Sequence, residues 1–326
     1  MASIKEVADI AGVAVGTVSR VINNHPSVKQ ETREKVLAAI KEINYVPNEV
    51  ARNFKMQKSM MIALLLPTIR HPFFSELAYY IEDELDRHDY KLILCNSKGK
   101  PEKELYYFDI LNQNKVAGII AITYNDIEHS VVKDIPLVSI DRHFKDEISC
   151  VTSDNYNGGR IALQELHKAG VRYPAYLGYI ATSIRGEVDL RKVGFMDAAK
   201  ELGLPQADYE IPDLDEDLLN PHLDQILTAA QYKEVDGVFV NGDMLAARYI
   251  KRAREHGIQV PEDVKVVGYD GIQKDDLFYP FLSTIVQPVE EMARTAVRLL
   301  IQKVEGVELH KDLYRLPVTF RQGGTT

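Results

Sequence analysis

The 326-residue chain has only two cysteines, Cys95 and Cys150, and neither lies at a CxxC or other metal-binding spacing. Two thiols cannot form a disulfide framework. Both are expected to be small buried apolar groups in a reducing compartment. No apolar run exceeds Met60 to Leu66, far short of the roughly 20 residues a bilayer-spanning helix needs. The opening Met-Ala-Ser-Ile-Lys-Glu-Val-Ala-Asp is acidic and helical in pattern, unlike a signal peptide. A cytoplasmic protein without a membrane partner is therefore expected. The chain also lacks GxxxxGK[ST], GxGxxG after a strand, GxSxG and HExxH, which removes the common phosphate-loop, dinucleotide, serine-hydrolase and zinc-protease classes. Its nine histidines show no i, i+4 pairing, so no metal site is expected. Gly158-Gly159 ahead of a helix is a weak phosphate signal. No catalytic residue, metal ligand or cofactor is assigned, and the chain is not expected to be an enzyme.

What is present points to a folded protein. Apolar residues make up 45% of the chain, with 17 Tyr and 10 Phe, a composition that can fill a substantial core. The net charge of −9, spread evenly, would speak against nucleic acid as a partner. It is not spread evenly. Residues 1–58 hold nine Lys/Arg and six Asp/Glu, a net +3, and residues 59–326 hold 30 and 42, a net −12. A small basic head precedes a large acidic body.

Residues 3–45 read as three short helices. Ser3 and Glu6 make a capping box before the stripe Ile4, Val7, Ala8, Ala11. Gly12 breaks that helix. A second begins near Val15 with Val18, Val21 and Ile22 inward, and a third runs from about Gln30 to Ile43 with Val36, Ala39, Ile40 and Ile43 at helical spacing. Val46-Pro47 stops it, and Asn48 can cap a short helix from Glu49 to Met56, too short to be stable alone. From Met61 onward, strands at 61–66, 91–96, 117–122, 137–140, 175–179, 236–240 and 264–268 are expected. They alternate with helices at 74–88, 102–113, 157–169, 189–202, 218–230, 243–256 and 289–305. This alternation predicts an α/β body of parallel sheets flanked by helices, and its length suggests two lobes.

The helix–Gly12–helix spacing over 4–22 matches a helix-turn-helix, whose second helix enters the DNA major groove. Val15 and Gly16 at its start and Arg20 a turn later would face the bases. Arg20 can bond guanine twice, and Val15 can contact a thymine methyl. Spacing alone leaves open a helical hairpin used for protein contacts.

The motifs are more specific than the spacing. Ile4-Lys-Glu-Val-Ala, Ala11-Gly-Val, Thr17-Val-Ser-Arg-Val-Ile-Asn, Thr32-Arg-Glu-Lys-Val and Tyr45-Val-Pro-Asn-Glu-Val-Ala-Arg resemble the lactose/galactose repressor (LacI/GalR) family. So do Pro72-Phe-Phe, Val116-Ala-Gly-Ile-Ile, Asp141-Arg, Ser153-Asp, Val260-Pro-Glu-Asp-Val, Val267-Gly-Tyr-Asp and Ser283-Thr-Ile-Val-Gln-Pro. The resemblance implies a homodimer on double-stranded operator DNA. It implies an all-α head and hinge over 1–58, and over 59–326 a two-lobed core like periplasmic sugar-binding proteins. The N-lobe would take about 61–153 and 286–315, the C-lobe about 154–285 and 316–326. DNA contacts would come from Val15, Gly16, Thr17 and Arg20, and from Asn48, Ala51, Arg52, Phe54 and Lys55 in a hinge helix at about 48–56. Phe54 stands where the family has a Leu that wedges into the minor groove, and Ala14 replaces a capping Ser.

The resemblance also implies a sugar effector between the lobes, held by His71, Phe73, Phe74, Asp141, Arg142, Arg191, Asp270 and Gln287. Phe73 or Phe74 would stack on a sugar face, and the polar groups would bind its hydroxyls. Gly242-Asp243 stands where Asn-Asp is common, with Asn241 as a substitute ligand. A sugar-responsive repressor is expected, with sucrose or its fructose unit as effector and ribose second. The alternative within regulators is a catabolite regulator whose core docks a phosphorylated phosphocarrier protein.

Overall fold

In the computed structural model, residues 2–46, 59–127, 135–144, 148–180, 186–212, 216–272, 281–307 and 313–326 are described. Met1–Ser59 and Met60–Thr326 form two compact units.

The head carries α1 (Ile4–Ala11), α2 (Val15–Ile22) and α3 (Gln30–Glu42). The Ser3 hydroxyl accepts the Glu6 N–H, and the Glu6 carboxylate accepts the Ser3 N–H at 2.9 Å, closing the capping box. Gly12 ends α1 at φ 63°, a left-handed cap that a side chain would strain. Ala14 caps α2 without a side-chain bond. Val7, Ala8, Val18, Val21, Val36 and Ala39 form the buried core, one stripe from each helix. Arg33 is half structural: its Nη1 donates to Asn24 Oδ1 at 2.9 Å and its Nη2 to the His25 carbonyl at 3.0 Å. It pins the α2–α3 turn, and is not simply surface charge.

The second unit is two α/β lobes. The N-lobe contains β1 (Met61–Leu66), α4 (Pro72–Asp86), β2 (Lys91–Asn96), α5 (Pro101–Gln113), β3 (Gly118–Ala121), β4 (Leu137–Ile140) and β5 (Ser149–Ser153). The chain then crosses into the C-lobe: α6 (Asn155–Lys168), β6 (Pro174–Tyr179), a 3-10 turn (Glu187–Asp189), α7 (Leu190–Glu201), β7 (Ala207–Ile211), α8 (Glu216–Gln231), β8 (Gly237–Val240), α9 (Asp243–Glu255), β9 (Lys265–Asp270) and β10 (Ser283–Val286). It returns through α10 (Val289–Val304) and β11 (Leu313–Leu316), and ends on β12 (Thr319–Arg321). The sheet orders are β11-β5-β4-β3-β1-β2 and β12-β10-β9-β8-β6-β7. Every pairing is parallel except β10 with β12. The chain therefore passes between lobes three times, at 153–155, 286–289 and 316–319.

Strands such as β1, buried from Ile62 to Leu66, are apolar throughout because helices cover both faces of a parallel sheet. α10 lays Met292, Ala296, Val297 and Leu300 into the N-lobe core. Five strands, β5, β7, β10, β11 and β12, were not expected from the pattern. β5 and β10 are rich in Ser and Thr yet largely buried; Thr152 Oγ1 donates to Asp141 at 2.7 Å and Thr284 Oγ1 to Asp243 at 2.6 Å, while Ser149 Oγ is buried without a hydrogen-bond partner. β7, β11 and β12 are edge strands, short and half exposed. The Gly158-Gly159 pair lies inside α6, where packing requires both: a Cβ at Gly158 would collide with the Tyr269 ring, one at Gly159 with the Arg191 carbonyl of α7, and one at Gly194 with that of Tyr156.

Candidate functional site

α2 turns Val15, Gly16 and Arg20 outward and buries Val18 and Val21, with Thr17 between. Val15 is 40% exposed, unusual for a Val in a domain with so small a core. A Cβ at Gly16 would meet nothing within 4 Å, so packing within the head does not require glycine there. The other DNA candidates, Asn48, Ala51, Arg52, Phe54 and Lys55, lie outside the described residues.

In the second unit the site forms where strands of both lobes end, the usual ligand position of parallel sheets. Asp141 follows β4, Arg191 opens α7, Asp270 ends β9, Gln287 follows β10, and His71 caps α4. Arg191 is the hub. Its Nε donates to Asn155 Oδ1 and its Nη1 to the Asn241 carbonyl, each at 2.7 Å. Its guanidinium lies 3.7 Å above the Tyr269 ring and 3.6 Å from Asp270 Oδ1. Asn155 in turn donates to Thr152 Oγ1 at 3.0 Å, and Thr152 donates to Asp141. Gln287 Nε2 donates to Asp270 Oδ1 at 2.8 Å, and His71 Nε2 faces Asp270 Oδ2 at 3.9 Å. One polar chain thus joins carboxylates of both lobes through the first crossover.

The backbone marks the same two residues. Among the described residues eight non-glycine residues have positive φ; six are exposed turn residues, and the two buried ones are Asp141 (φ 59°) and Asp270 (φ 109°). Such conformations cost about 1–3 kcal/mol each and persist where the surroundings over-determine them, as at binding sites. Gln287 Oε1 is buried without a hydrogen-bond partner. An orphaned acceptor of this kind costs stability unless a ligand donor meets it.

Burial raises the proton affinity of Asp141 and Asp270, opposed by Arg191. Burial lowers that of His71, with Asp270 opposing. His71 Nδ1 accepts the Phe73 N–H at 3.3 Å, so a neutral ring carries its proton on Nε2, toward Asp270. Behind Asp270 lies Asp243, which accepts from Thr284 Oγ1 at 2.6 Å and from the Ile272 N–H at 2.9 Å. Burial first, then the Asp270 charge, pushes its carboxyl up to about 7. The folded protein then holds a proton that the unfolded chain releases near pH 4. Stability from this group is fully present below that pH and declines as pH rises toward 7. Asp243→Asn removes the decline. Because a tenfold change in proton affinity is worth about 1.4 kcal/mol, the Asn variant should gain at least that much on wild type between about pH 5 and about pH 8, read by urea unfolding at each pH. Equal slopes in the two proteins would place the titration elsewhere.

The structure brings His71, Asp141, Arg191, Asp270 and Gln287 together. Phe73 is a core residue, stacked with Leu77 and Ile81, which leaves Phe74, 5.3 Å from the His71 ring, as the aromatic face beside the site. Arg142 lies over the Phe144 ring at 4.5 Å and donates to the Asn125 carbonyl. Its guanidinium thus packs on the N-lobe instead of joining the Arg191 network. Asn241 contributes its carbonyl, and Gly242 caps α9 with a Cβ position 3.4 Å from Asp270 Oδ2. Residue patterns did not single out Asn155, Tyr269 or Tyr124. Burial raises the Tyr124 phenol, with Asp141, Arg191 and Asp270 acting on it. Tyr269 lies inside the Val267-Gly-Tyr-Asp motif and Asn155 directly follows Ser153-Asp, so the signal was there without a role attached. Among the described residues no group of His, Cys, Asp and Glu could hold a metal ion, and no helix is long and apolar enough to cross a membrane.

Comparison with known proteins accounts for both units. The family of bacterial regulatory proteins of the lacI type matches residues 3–48, and that of periplasmic binding protein-like domains matches residues 163–326. The chain is 35% identical to the sucrose operon repressor of Streptococcus mutans, over 99% of each chain. It is 38% identical to the ribose operon repressor of Bacillus subtilis, over 100% of this chain and 99% of that one. The chain belongs to the LacI family. A crystal structure of a periplasmic binding protein/LacI transcriptional regulator from Alkaliphilus metalliredigens, complexed with D-xylulofuranose, is 33% identical. It aligns with a TM-score of 0.74 over 82% of this chain and 99% of that one. As in other LacI-family regulators, the head is a DNA-binding helix-turn-helix and the body a sugar-binding type of core. Arg20, exposed on α2, should read a base: Arg20→Ala is expected to cost about 1–3 kcal/mol on the preferred duplex and to relax its sequence preference. Equal losses on all duplexes would make it a phosphate contact.

Proposed function

We propose that the protein is a transcriptional repressor of a sugar-utilisation operon, bound to palindromic operator DNA as a homodimer and released by a neutral sugar between its lobes. The buried pair of positive-φ aspartates, joined through Arg191 and faced by the orphaned Gln287 Oε1, carries this reading. Sugar hydroxyls need paired donors and acceptors in a cleft that is otherwise dry. Asp141 and Asp270 flank a single buried cation, Arg191, a donor and acceptor set that suits the hydroxyls of an uncharged ligand. Sucrose or its fructose unit is the favoured effector, since the Streptococcus mutans relative is a sucrose operon repressor and a ketofuranose occupies the Alkaliphilus metalliredigens relative. Ribose is the second reading, favoured by the Bacillus subtilis relative.

A second copy has a surface to meet. β2 is an edge strand of the N-lobe sheet with Leu94 exposed, and Tyr79 on α4 and Tyr106 on α5 are also exposed. Dimerisation doubles the basic charge of the heads on one duplex, which matters because a single head carries only +3. Calorimetric titration of the full chain with sucrose, fructose and ribose tests the site. Binding of one sugar at micromolar strength supports it, and no heat with any of the three while phosphosugars bind would overturn it.

A further inference from the structure

A second contact joins the lobes outside the Arg191 network. The 3-10 turn of the C-lobe carries Glu187, only 7% exposed, against the N-lobe. Glu187 Oε1 meets His143 Nε2 at 3.3 Å, and Oε2 meets Arg315 Nε of β11 at 3.3 Å. The Glu187 N–H donates to the Asp141 carbonyl at 3.3 Å. Asp189 Oδ2 accepts the Gly186 N–H at 2.9 Å, closing the turn on itself. Both carboxylate oxygens of Glu187 are thus engaged by side chains of the other lobe, the His143 ring and the Arg315 guanidinium, and none of the three residues belongs to the sugar-facing set.

The position of this contact in the chain gives it leverage. Glu187 is four residues before Arg191 on the same turn and helix, and His143 is two residues after Asp141 on the same loop. Moving the lobes apart must strip a buried carboxylate of Arg315 and His143, and the Glu187 N–H of its bond to the Asp141 carbonyl. A buried charge left without its partners is strongly penalised, so the cluster favours the closed arrangement in which Asp141 and Arg191 are aligned.

We propose that Glu187, with His143 and Arg315, is an interlobe clasp: a positioning residue that sets sugar affinity by holding the closed core, without touching the sugar. The proposal rests on the cleft being the sugar site. It also predicts a signature that a neutral ligand would not otherwise show. Arg315 and His143 are 51% and 38% exposed, so salt screens the clasp.

The test uses the full chain and the variants Glu187→Gln, Arg315→Gln and their double. Each single variant should weaken binding of the sugar found by titration about three- to tenfold, and the double no more than the worse single, since both remove one interaction. Raising salt from about 50 mM to about 500 mM should weaken the wild type severalfold and leave Glu187→Gln nearly unmoved. X-ray scattering of the sugar-free proteins should give a larger radius of gyration for both single variants than for wild type. If Glu187→Gln misfolds, Arg315→Gln, altered at a half-exposed side chain, carries the same comparison. Wild-type affinity and dimensions in both variants, or losses that add fully in the double, would overturn the clasp. If no sugar binds wild type, the cleft reading fails, and the scattering comparison alone decides the clasp.

Discussion

Arg191→Ala should abolish measurable sugar binding and lower stability by about 3–5 kcal/mol, the usual cost of removing one partner of a buried ion pair. The guanidinium is 5% exposed and satisfies four neighbours at once: Asn155, the Asn241 carbonyl, Asp270 and the face of Tyr269. Truncation leaves Asp270 buried beside Asp243 with its main cation gone. It also frees Asn155, and with it the bond that holds Thr152 on Asp141. Arg191→Lys tests geometry separately from charge. Lysine keeps the positive charge but cannot donate in two fixed directions while stacking on a ring, so it should recover part of the stability and little of the binding. Titration calorimetry and urea unfolding of both variants read this out. Sugar affinity within threefold of wild type in Arg191→Ala would remove the hub role.

The second large effect is expected at Gly159, where α6 packs on the first turn of α7. α6 and α7 approach closely enough that a Cβ here would strike the Arg191 carbonyl and lie 2.8 Å from the Phe195 N. These are backbone atoms, so no rotamer change relieves the clash. Gly159→Ala should therefore cost about 3 kcal/mol, at the upper end for overpacking. It should also weaken sugar binding at least tenfold, because the first turn of α7 carries Arg191. Operator binding by the head should survive. Gly170→Ala is the control: it is strained by its φ of 93° but meets no atom within 4 Å, so it should lose stability without the matching loss of sugar affinity. An unchanged urea midpoint in Gly159→Ala would show that the helices can separate at no cost.

Much of this architecture is legible in the residues, and the exceptions have physical causes. The head was readable because each helix has a clean stripe and a chemical stop: Ser3 with Glu6, then Gly12. β1, β3 and β8 were readable because strands covered on both faces must be apolar. β5 was not, since Ser149, Thr152 and Ser153 have the composition of a loop; Thr152 and Ser153 are buried with partners, Asp141 and Asn155, that lie outside β5. The choice between Phe73 and Phe74 also needed three dimensions. Residues 73, 77 and 81 share one face of α4, so Phe73 follows the core stripe and Phe74 is only partly buried at its margin. Resemblance placed Asp141 and Asp270 among the ligands, but their strained backbones and the chain joining them through Thr152, Asn155 and Arg191 appear only once the lobes are folded. Arg142 shows the converse. It directly follows Asp141 in the Asp141-Arg motif, yet beside the φ of 59° at Asp141 its guanidinium lies over the Phe144 ring. The division of charge between head and body, +3 and −12, is the sequence feature that assigns DNA contact to the head and not to the body.

Linkage between the two units can be measured in a single experiment. Operator affinity of the full chain is determined by fluorescence anisotropy at fixed salt, on a palindromic duplex enriched from a random pool, with and without saturating sugar. Sugar in the cleft should weaken operator binding by at least about tenfold, and saturating operator should weaken sugar binding by the same factor, as linkage requires. A sugar that binds the core tightly and leaves the operator constant unchanged would contradict release by that ligand.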